Sequence, residues 1–165
     1  MIIFLLKNLY GNIMEYLQYK IKNDKKLSLA TNDIPLFSLN GKIKKCKIVD
    51  VYDGDTCKAV FYLNKELHKW NIRMIGYDTP ELRPRKNVPN REHEILKAKQ
   101  ARDFLKSLVM NPNQLVYIKC HEFDKYGRLL GEILIDKDDM ITVNQLMIDK
   151  GHGVPYDGGT KLKII

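Results

Sequence analysis

The sequence lacks paired cysteines, clustered histidines and any long apolar run. Its three cysteines, Cys46, Cys57 and Cys120, have no paired spacing, which argues against a disulfide framework or a cysteine-based zinc site and favours a reducing, intracellular environment. The four histidines are scattered, so the ligand pairs that a zinc hydrolase requires are missing. The apolar start, residues 1–6, ends at Lys7 and is too short for a signal peptide or a membrane span. We therefore expect an intracellular protein with neither an export signal nor a membrane partner.

The composition is that of a folded, basic protein. The chain has 165 residues, enough for one domain with a real core, and its 44% hydrophobic content excludes a largely disordered chain. The formal net charge of +8 and the pI near 9.3 favour an anionic partner, either nucleic acid or an acidic membrane surface. Charge alone does not decide whether such a partner exists, so the choice rests on the motifs.

The chain divides into an extension of residues 1–41, a domain of residues 42–157 and a tail of residues 158–165. In the extension, residues 14–21 are predicted to form a short helix, and residues 22–40 show only weak periodicity. The domain has β-type runs at residues 43–51, 58–63, 67–75, 115–120 and 129–135, and helical patterns at residues 92–110 and 142–150. This order of elements predicts an α+β fold, a five-stranded OB-type β-barrel with helices packed outside.

Two short acidic segments follow the first and third predicted strands. Asp53-Gly54-Asp55-Thr56 is on its own a hairpin turn, yet Asp55 at a strand start has poor β-propensity and needs another reason to be there. Asp78-Thr79-Pro80-Glu81 has the composition of a helix start, but Pro84 follows almost at once and no apolar helical run begins before Ile95. A helix start without a helix favours a functional role for these acids.

The residue types in and around these segments suit phosphate chemistry. Asp55 and Asp78, with a backbone carbonyl and water, form an all-oxygen ligand set that suits Ca²⁺ or Mg²⁺ rather than zinc. Glu81 is close enough in sequence to act as general base toward a water at such a metal. Arg73 precedes the second segment, and Arg128 lies in a predicted hairpin turn; both offer forked donors to a phosphate. Together they predict a metal-dependent phosphodiesterase that acts on nucleic acid.

Three motifs give the chain a resemblance to a known family. They are Val51-Tyr52-Asp53-Gly54-Asp55-Thr56, Ile72-Arg73 leading to Tyr77-Asp78-Thr79-Pro80-Glu81, and Asp124-Lys125-Tyr126-Gly127-Arg128. With these motifs in this order, the chain resembles the staphylococcal nuclease (thermonuclease) family from about residue 42 to residue 156. The resemblance implies a five-stranded OB barrel that cleaves DNA or RNA with Ca²⁺ and leaves 3′-phosphates.

The resemblance also implies three kinds of role for single residues. The catalytic residues it implies, a general base and two arginines that bind the phosphate and its transition state, are Glu81, Arg73 and Arg128. The metal ligands it implies, two carboxylates and one main-chain carbonyl, are Asp55, Asp78 and Thr79. The residues it implies at a terminal phosphate or the adjoining nucleotide are Lys125, Tyr126 and Tyr156.

A non-catalytic OB module that binds nucleic acid or a peptide is the alternative, since basic loops and exposed aromatic residues serve it equally well. Glu81 discriminates between the two, because a binding module has no use for an acid beside phosphates. The chain also departs from the family, whose last helix has no counterpart in this sequence, just as residues 1–41 have none in the family. We expect a monomer whose partner is DNA or RNA.

Overall fold

The computed structural model describes residues 2–87 and 89–158, with side chains from residue 9 onward. The backbone forms two compact units, Met1–Phe37 and Ser38–Ile165. The sequence suggested a division at residue 41, whereas in the structure Leu39 already belongs to the core of the second unit. Beyond Gly158, the expected tail of residues 158–165 lies outside the described residues.

The first unit contains one long helix, α1 (Ile2–Ser28). The predicted helix at residues 14–21 is therefore wrong in length. Residues 2–28 contain no proline, and Leu9, Ile13 and Leu17 recur at helical spacing, so no local signal ends the helix before Ser28. Among the described residues, no helix combines the length and the apolar character needed to cross a membrane.

The second unit is built around a closed five-stranded barrel, which confirms the predicted α+β fold of the OB type. The barrel strands are β1 (Ile43–Val51), β2 (Thr56–Leu63), β3 (Glu66–Met74), β5 (Val116–Phe123) and β6 (Leu129–Leu134). A separate pair consists of β4 (Gly76–Asp78) and β7 (Val154–Tyr156), and the helices are α2 (Arg91–Val109) and α3 (Val143–Asp149). The barrel order is β1-β2-β3-β6-β5, closed by β5 on β1, with β3 and β6 parallel and the other neighbours antiparallel.

A bulge in β1 orients the residues that lead into the first acidic segment. Ile48 points into the core, and the register with β2 then shifts between Ile48 and Asp50. The extra residue returns Val51 to the core, because two residues of a bulged strand oppose one residue of its neighbour. The following turn is closed by the Tyr52 amide, which donates to the Thr56 carbonyl at 2.9 Å.

Helix α2 of the second unit buries one face, and helix α3 has a side-chain cap. The residues that α2 buries recur at helical spacing and are Ala98, Ala101, Leu105 and Val109. Helix α3 is capped by Thr142, whose hydroxyl accepts a hydrogen bond from the Gln145 amide at 3.0 Å.

A buried asparagine ties α3 to the barrel. The Asn144 Oδ1 atom accepts from the Ile133 amide at 3.0 Å, while its Nδ2 donates to the carbonyls of Ile75 and Gly131 at 2.8 and 3.1 Å. One side chain therefore joins α3, β6 and the link between β3 and β4. Nothing in the local sequence pattern indicates this role.

The sheet of β4 and β7 is a feature that the sequence does not predict. Tyr77 lies opposite Pro155, and Asp78 lies opposite Val154. Each strand has only three residues, too few for a period-two pattern, and a proline argues against a strand. The pairing holds the segment that carries Asp78 against the C-terminal part of the domain.

Candidate active site

One cavity of about 490 Å³ lies between the turn after β1, the loop after β4 and the hairpin that joins β5 and β6. All nine predicted site residues line it: Asp55, Arg73, Asp78, Thr79, Glu81, Lys125, Tyr126, Arg128 and Tyr156. Side chains from segments that are far apart in the sequence therefore share one space.

Asp55 is held in the cavity wall by the turn between β1 and β2. Its Oδ2 accepts hydrogen bonds from the Thr79 amide at 3.2 Å and the Thr79 hydroxyl at 3.1 Å, and its Oδ1 accepts from the Thr56 hydroxyl at 3.0 Å. Gly54 permits this approach, because a Cβ there would lie 2.8 Å from both the Thr79 Cγ2 and the Ala101 Cβ. The glycine is thus required by packing, in addition to the turn.

Tyr77 fixes β4 beneath the cavity. It is fully buried, and its hydroxyl donates to the Gly54 carbonyl at 2.7 Å. Burial raises its pKa well above the ordinary value, so the hydroxyl keeps its proton and remains a donor. Gly153 lies so close to the ring that an added Cβ would come within 2.5 Å of it. Asp78, the next residue, is therefore carried by a strand that is packed on both sides.

Arg73 bridges the two carboxylates. Its Nη1 lies 2.5 Å from the Asp55 Oδ2, and its Nη2 lies 2.7 Å from the Asp78 Oδ1. The side chains of Arg73, Asp55 and Asp78 are 13%, 9% and 8% exposed. The guanidinium also donates to the carbonyls of Asp55 and Tyr77, at the longer distance of 3.5 Å. Two buried carboxylates thus face one guanidinium, and the cluster has a net negative charge when both carboxylates are ionised.

This excess of negative charge fits a bound cation. Burial raises the pKa of Asp55 to about 7, although Arg73 acts to lower it. A divalent cation would favour the ionised form, and carboxylate and carbonyl oxygens are the ligands that Ca²⁺ prefers. Within residues 2–87 and 89–158, no group of three or more His, Cys, Asp or Glu side chains is arranged to hold a metal ion. The ligands predicted from the sequence, two carboxylates and one main-chain carbonyl, belong to Asp55, Asp78 and Thr79, which all line this cavity.

Glu81 stands at the exposed lip of the cavity. Its amide donates to the Glu94 Oε1 at 3.4 Å, which ties the loop to the first turn of α2. In the described part of this loop no helix follows Pro80 until α2 begins at Arg91, so the second acidic segment is a helix start without a helix, as the sequence predicts. The carboxylate of Glu81 therefore lies where both water and a ligand in the cavity have access to it.

The hairpin between β5 and β6 places Arg128 in the cavity wall. The Arg128 Nε lies 2.7 Å from the Asp124 Oδ2, and the Asp124 Oδ1 accepts from the amides of Tyr126 and Arg128, both at 2.9 Å. Burial acts to raise the pKa of Asp124, but these hydrogen bonds outweigh it and lower the pKa below its ordinary value. Lys125 and Arg128 lie 5.1 and 5.6 Å from the centre of the Tyr126 ring. The turn thus groups two cations with one exposed aromatic ring.

The cavity also has lining residues for which no role was predicted: Asp53, Thr56, Pro80 and Gly158. The first three lie in the two acidic segments, beside the predicted metal ligands, so a signal for them is present in the sequence. The Asp53 Oδ1 accepts from the Asp55 amide at 3.3 Å and supports the turn, as its hairpin interpretation predicts. Gly158 has no such local signal.

The fold and the cavity together define a class of protein. It is an OB-type barrel with one cavity that is lined by two buried aspartates, by two arginines and by an exposed glutamate. The family described as staphylococcal nuclease homologue matches residues 71–160, which is more than half of the chain. The chain therefore belongs to the staphylococcal nuclease homologue family, as its motifs predicted.

Three relatives show how far the similarity extends. An uncharacterized protein of Methanocaldococcus jannaschii is 30% identical over 131 residues, which cover 71% of this chain and 61% of that protein. The thermonuclease of Staphylococcus hyicus is 33% identical over 100 residues, covering 60% of this chain and 53% of that protein. Endonuclease YhcR of Bacillus subtilis is 30% identical over 112 residues, covering 66% of this chain and 9% of that protein. The chain thus spans less than two thirds of the length of each relative.

Proposed function

We propose that the chain is a Ca²⁺-dependent nuclease that hydrolyses phosphodiester bonds of DNA or RNA. The observation that carries the proposal is the convergence of all nine predicted site residues on one cavity. Membership of the family, and the names thermonuclease and endonuclease of two relatives, support a nuclease activity. The net charge of +8 suits an anionic polymer as the substrate.

In this proposal, Asp55, Asp78 and the Thr79 carbonyl hold Ca²⁺. When bound, Ca²⁺ supplies Lewis-acid polarisation of the phosphate and orients the attacking water. The amide and hydroxyl of Thr79 orient the Asp55 carboxylate, and Arg73 offsets the repulsion between Asp55 and Asp78. The two carboxylates are thus organised before a substrate arrives, which is the condition for effective electrostatic catalysis.

Glu81 acts as the general base. It takes a proton from the attacking water, whose oxygen forms a bond to phosphorus while the bond between phosphorus and the 5′ oxygen breaks. The leaving oxygen takes a proton from solvent, and the product keeps a 3′-phosphate. The exposure of Glu81 at the lip of the cavity supports this role, because the base must receive water and return its proton to solvent.

Arg73 and Arg128 stabilise the phosphate, on whose oxygens negative charge grows in the transition state. A planar guanidinium suits this role because it donates two parallel hydrogen bonds to one phosphate. Lys125 and Tyr126 contact a terminal phosphate or the nucleotide beside it, and Tyr156 adds an aromatic ring for contact with the nucleotide.

The test of the proposal replaces Glu81 by Gln, which keeps the size of the side chain and removes its basicity. Turnover of single-stranded DNA with Ca²⁺ should fall by roughly 10²-fold to 10⁴-fold, the usual contribution of a positioned base, while binding of the DNA is retained. Asp55→Asn should instead weaken Ca²⁺ binding, measured by calorimetry. Glu92→Gln, an exposed glutamate outside the lining of the cavity, is the matched control and should leave the rate unchanged.

The same assay distinguishes the enzyme from a binding module. Absence of hydrolysis by the unchanged protein with Ca²⁺, Mg²⁺ and Mn²⁺, on both DNA and RNA, would replace the nuclease by a non-catalytic OB module that binds nucleic acid or a peptide. Hydrolysis that is equally fast in Glu81→Gln would remove Glu81 from the mechanism.

A further inference from the structure

A second cavity, of about 290 Å³, adjoins the first at Pro80, which lines both. Its walls come from α2, through Lys97 and Gln100, and from residues 150–154, which follow α3. Of the described residues that line it, Pro80 alone also borders the cavity with the two aspartates. A polymer bound beside the aspartates therefore meets the second cavity when it extends past Pro80.

The second cavity is positively charged. Lys97 and Lys150 line it, and no carboxylate among the described residues does. Neither lysine forms an ion pair within the part of the chain that the structure describes. Asp149, beside Lys150, instead accepts a hydrogen bond from the Gln145 side-chain amide at 2.7 Å. Two ammonium groups that have no ion-pair partner among the described residues favour an anionic ligand.

The floor of this cavity is firmly packed against the strand that carries Asp78. The His152 ring stacks on Phe104 with their centres 4.4 Å apart, and the amides of His152 and Gly153 donate to the Met147 carbonyl at 2.9 and 3.1 Å. A Cβ added to Gly153 would lie 3.2 Å from the Asp78 carbonyl oxygen, so this segment packs directly on β4. The spacing between the two cavities is thus fixed by packed elements of the fold.

We propose that the second cavity binds the backbone phosphate of a nucleotide that flanks the scissile one on a single-stranded nucleic acid. The proposal rests on the nuclease function proposed above. Lys97 and Lys150 supply the charge, and Gln100 and His152 supply hydrogen-bonding groups for phosphate or sugar oxygens. A flexible single strand bends over Pro80 and contacts both cavities, since basic grooves follow the backbone of single strands.

The test compares two variants of the full chain that lose the same charge. Lys97→Gln/Lys150→Gln removes the two ammonium groups of the second cavity. Lys99→Gln/Lys137→Gln removes two exposed lysines that line neither cavity and that form no ion pair among the described residues. Affinity for a fluorescent single-stranded DNA is measured in EDTA at a series of salt concentrations. The slope of log affinity against log salt should become shallower by about 0.7 in the first variant, the contribution of one phosphate, and stay unchanged in the control.

An unchanged slope in the first variant, or an equal change in both variants, would overturn the inference. Cleavage with Ca²⁺ provides a second measurement: the KM of the first variant should rise severalfold for the long DNA and much less for a dinucleotide, which does not extend past Pro80. Equal rises in KM for the two substrates would also overturn it. If the protein without substitutions cleaves DNA but the salt slope of the first variant does not change, the flanking phosphate site alone is refuted. If the slope changes but the protein without substitutions does not cleave DNA, the nuclease function alone is refuted.

Discussion

Replacing Arg73 by Lys tests whether the fork of the guanidinium, rather than its charge, organises the site. The Arg73 guanidinium pairs with one carboxylate oxygen of Asp55 and with one of Asp78, and both aspartates are buried. An ammonium group keeps the positive charge but cannot hold both carboxylates in the same geometry. Loss of one hydrogen bond between charged groups costs about 1.5 to 3 kcal/mol. For a domain of this size each kcal/mol lowers Tm by roughly 3 to 5 °C, so Tm should fall by roughly 5 to 15 °C.

The kcat of the Arg73→Lys variant should fall as well, and Ca²⁺ should not restore it, because the lost donor acts on the transition state. Loss of a preorganised donor typically lowers kcat by about 10²-fold to 10³-fold. Ca²⁺ that binds Asp55 and Asp78 would recover part of the lost stability, because ligands that bind only the folded state stabilise it. Thermal melting with and without Ca²⁺, together with kcat on single-stranded DNA, separates the two effects. We expect partial recovery of Tm and no recovery of kcat.

Arg102→Lys is the matched control for this prediction. Arg102 pairs with Asp103 at 2.8 Å, but the Asp103 side chain is 60% exposed, and such surface pairs contribute about 1 kcal/mol or less. The Tm of the Arg102→Lys variant should therefore change by only about a few degrees, and its rate of DNA cleavage should stay the same. If Arg73→Lys melted and cleaved DNA like Arg102→Lys, the forked contact between the two aspartates would have no importance, and the reasoning would be refuted.

Three further predictions concern residues around the site. Gly54→Ala places a Cβ 2.8 Å from Thr79 Cγ2, so we expect a loss of about 1 to 3 kcal/mol and a lower cleavage rate; normal values in melting and activity assays would contradict this. Asn144→Leu removes the partner of the Ile133 amide and of the Ile75 carbonyl, while the Gly131 carbonyl still accepts from the Ile75 amide. This should cost on the order of 3 kcal/mol in chemical denaturation, and a loss below about 1 kcal/mol, the net value of a single hydrogen bond, would argue against it. Because the folded-state pKa of Asp124 lies below the ordinary value of 3.8, its contribution to stability is present above that pH and is lost as pH falls through the folded-state pKa. Asp124→Asn should therefore be less stable than the unchanged protein at neutral pH and equal to it in strong acid, and a constant difference at all pH values would be inconsistent with the lowered pKa.

The barrel could be predicted because its strands and turns are encoded locally. The turn between β2 and β3, Asn64-Lys65, has both residues at positive φ, 50° and 71°, as a two-residue hairpin requires. The two aspartates could be found for a related reason. Asp55 stands at a strand start, where aspartate has poor β-propensity, and Asp78 lies in the composition of a helix start that no helix follows.

The features that could not be predicted depend on contacts between distant parts of the chain. The pairing of β4 with β7 joins residues nearly eighty positions apart, and neither strand is long enough to show a pattern of its own. Asn144 resembles any polar residue of a short helix until Ile75, Gly131 and Ile133 are brought around it. The ion pair of Arg73 with Asp55 was hidden in the same way, since Asp55 lies on the turn that precedes β2. Local propensity says nothing about such contacts.

The two arginines of the cavity differ in what they are free to bind. The Arg73 guanidinium donates to four oxygens, those of two carboxylates and two backbone carbonyls. Among the described residues, the Arg128 guanidinium hydrogen-bonds only through Nε, to Asp124, and its side chain is 32% exposed. Because a guanidinium has five N–H donors, Arg128 keeps most of its donors for a phosphate, whereas Arg73 keeps few. In the proposed mechanism, Arg128 would therefore supply most of the donors to the phosphate, while Arg73 would both contribute to the phosphate and hold the aspartates in place. On this basis, loss of Arg73 lowers both stability and rate, while loss of Arg128 lowers the rate with much less effect on stability.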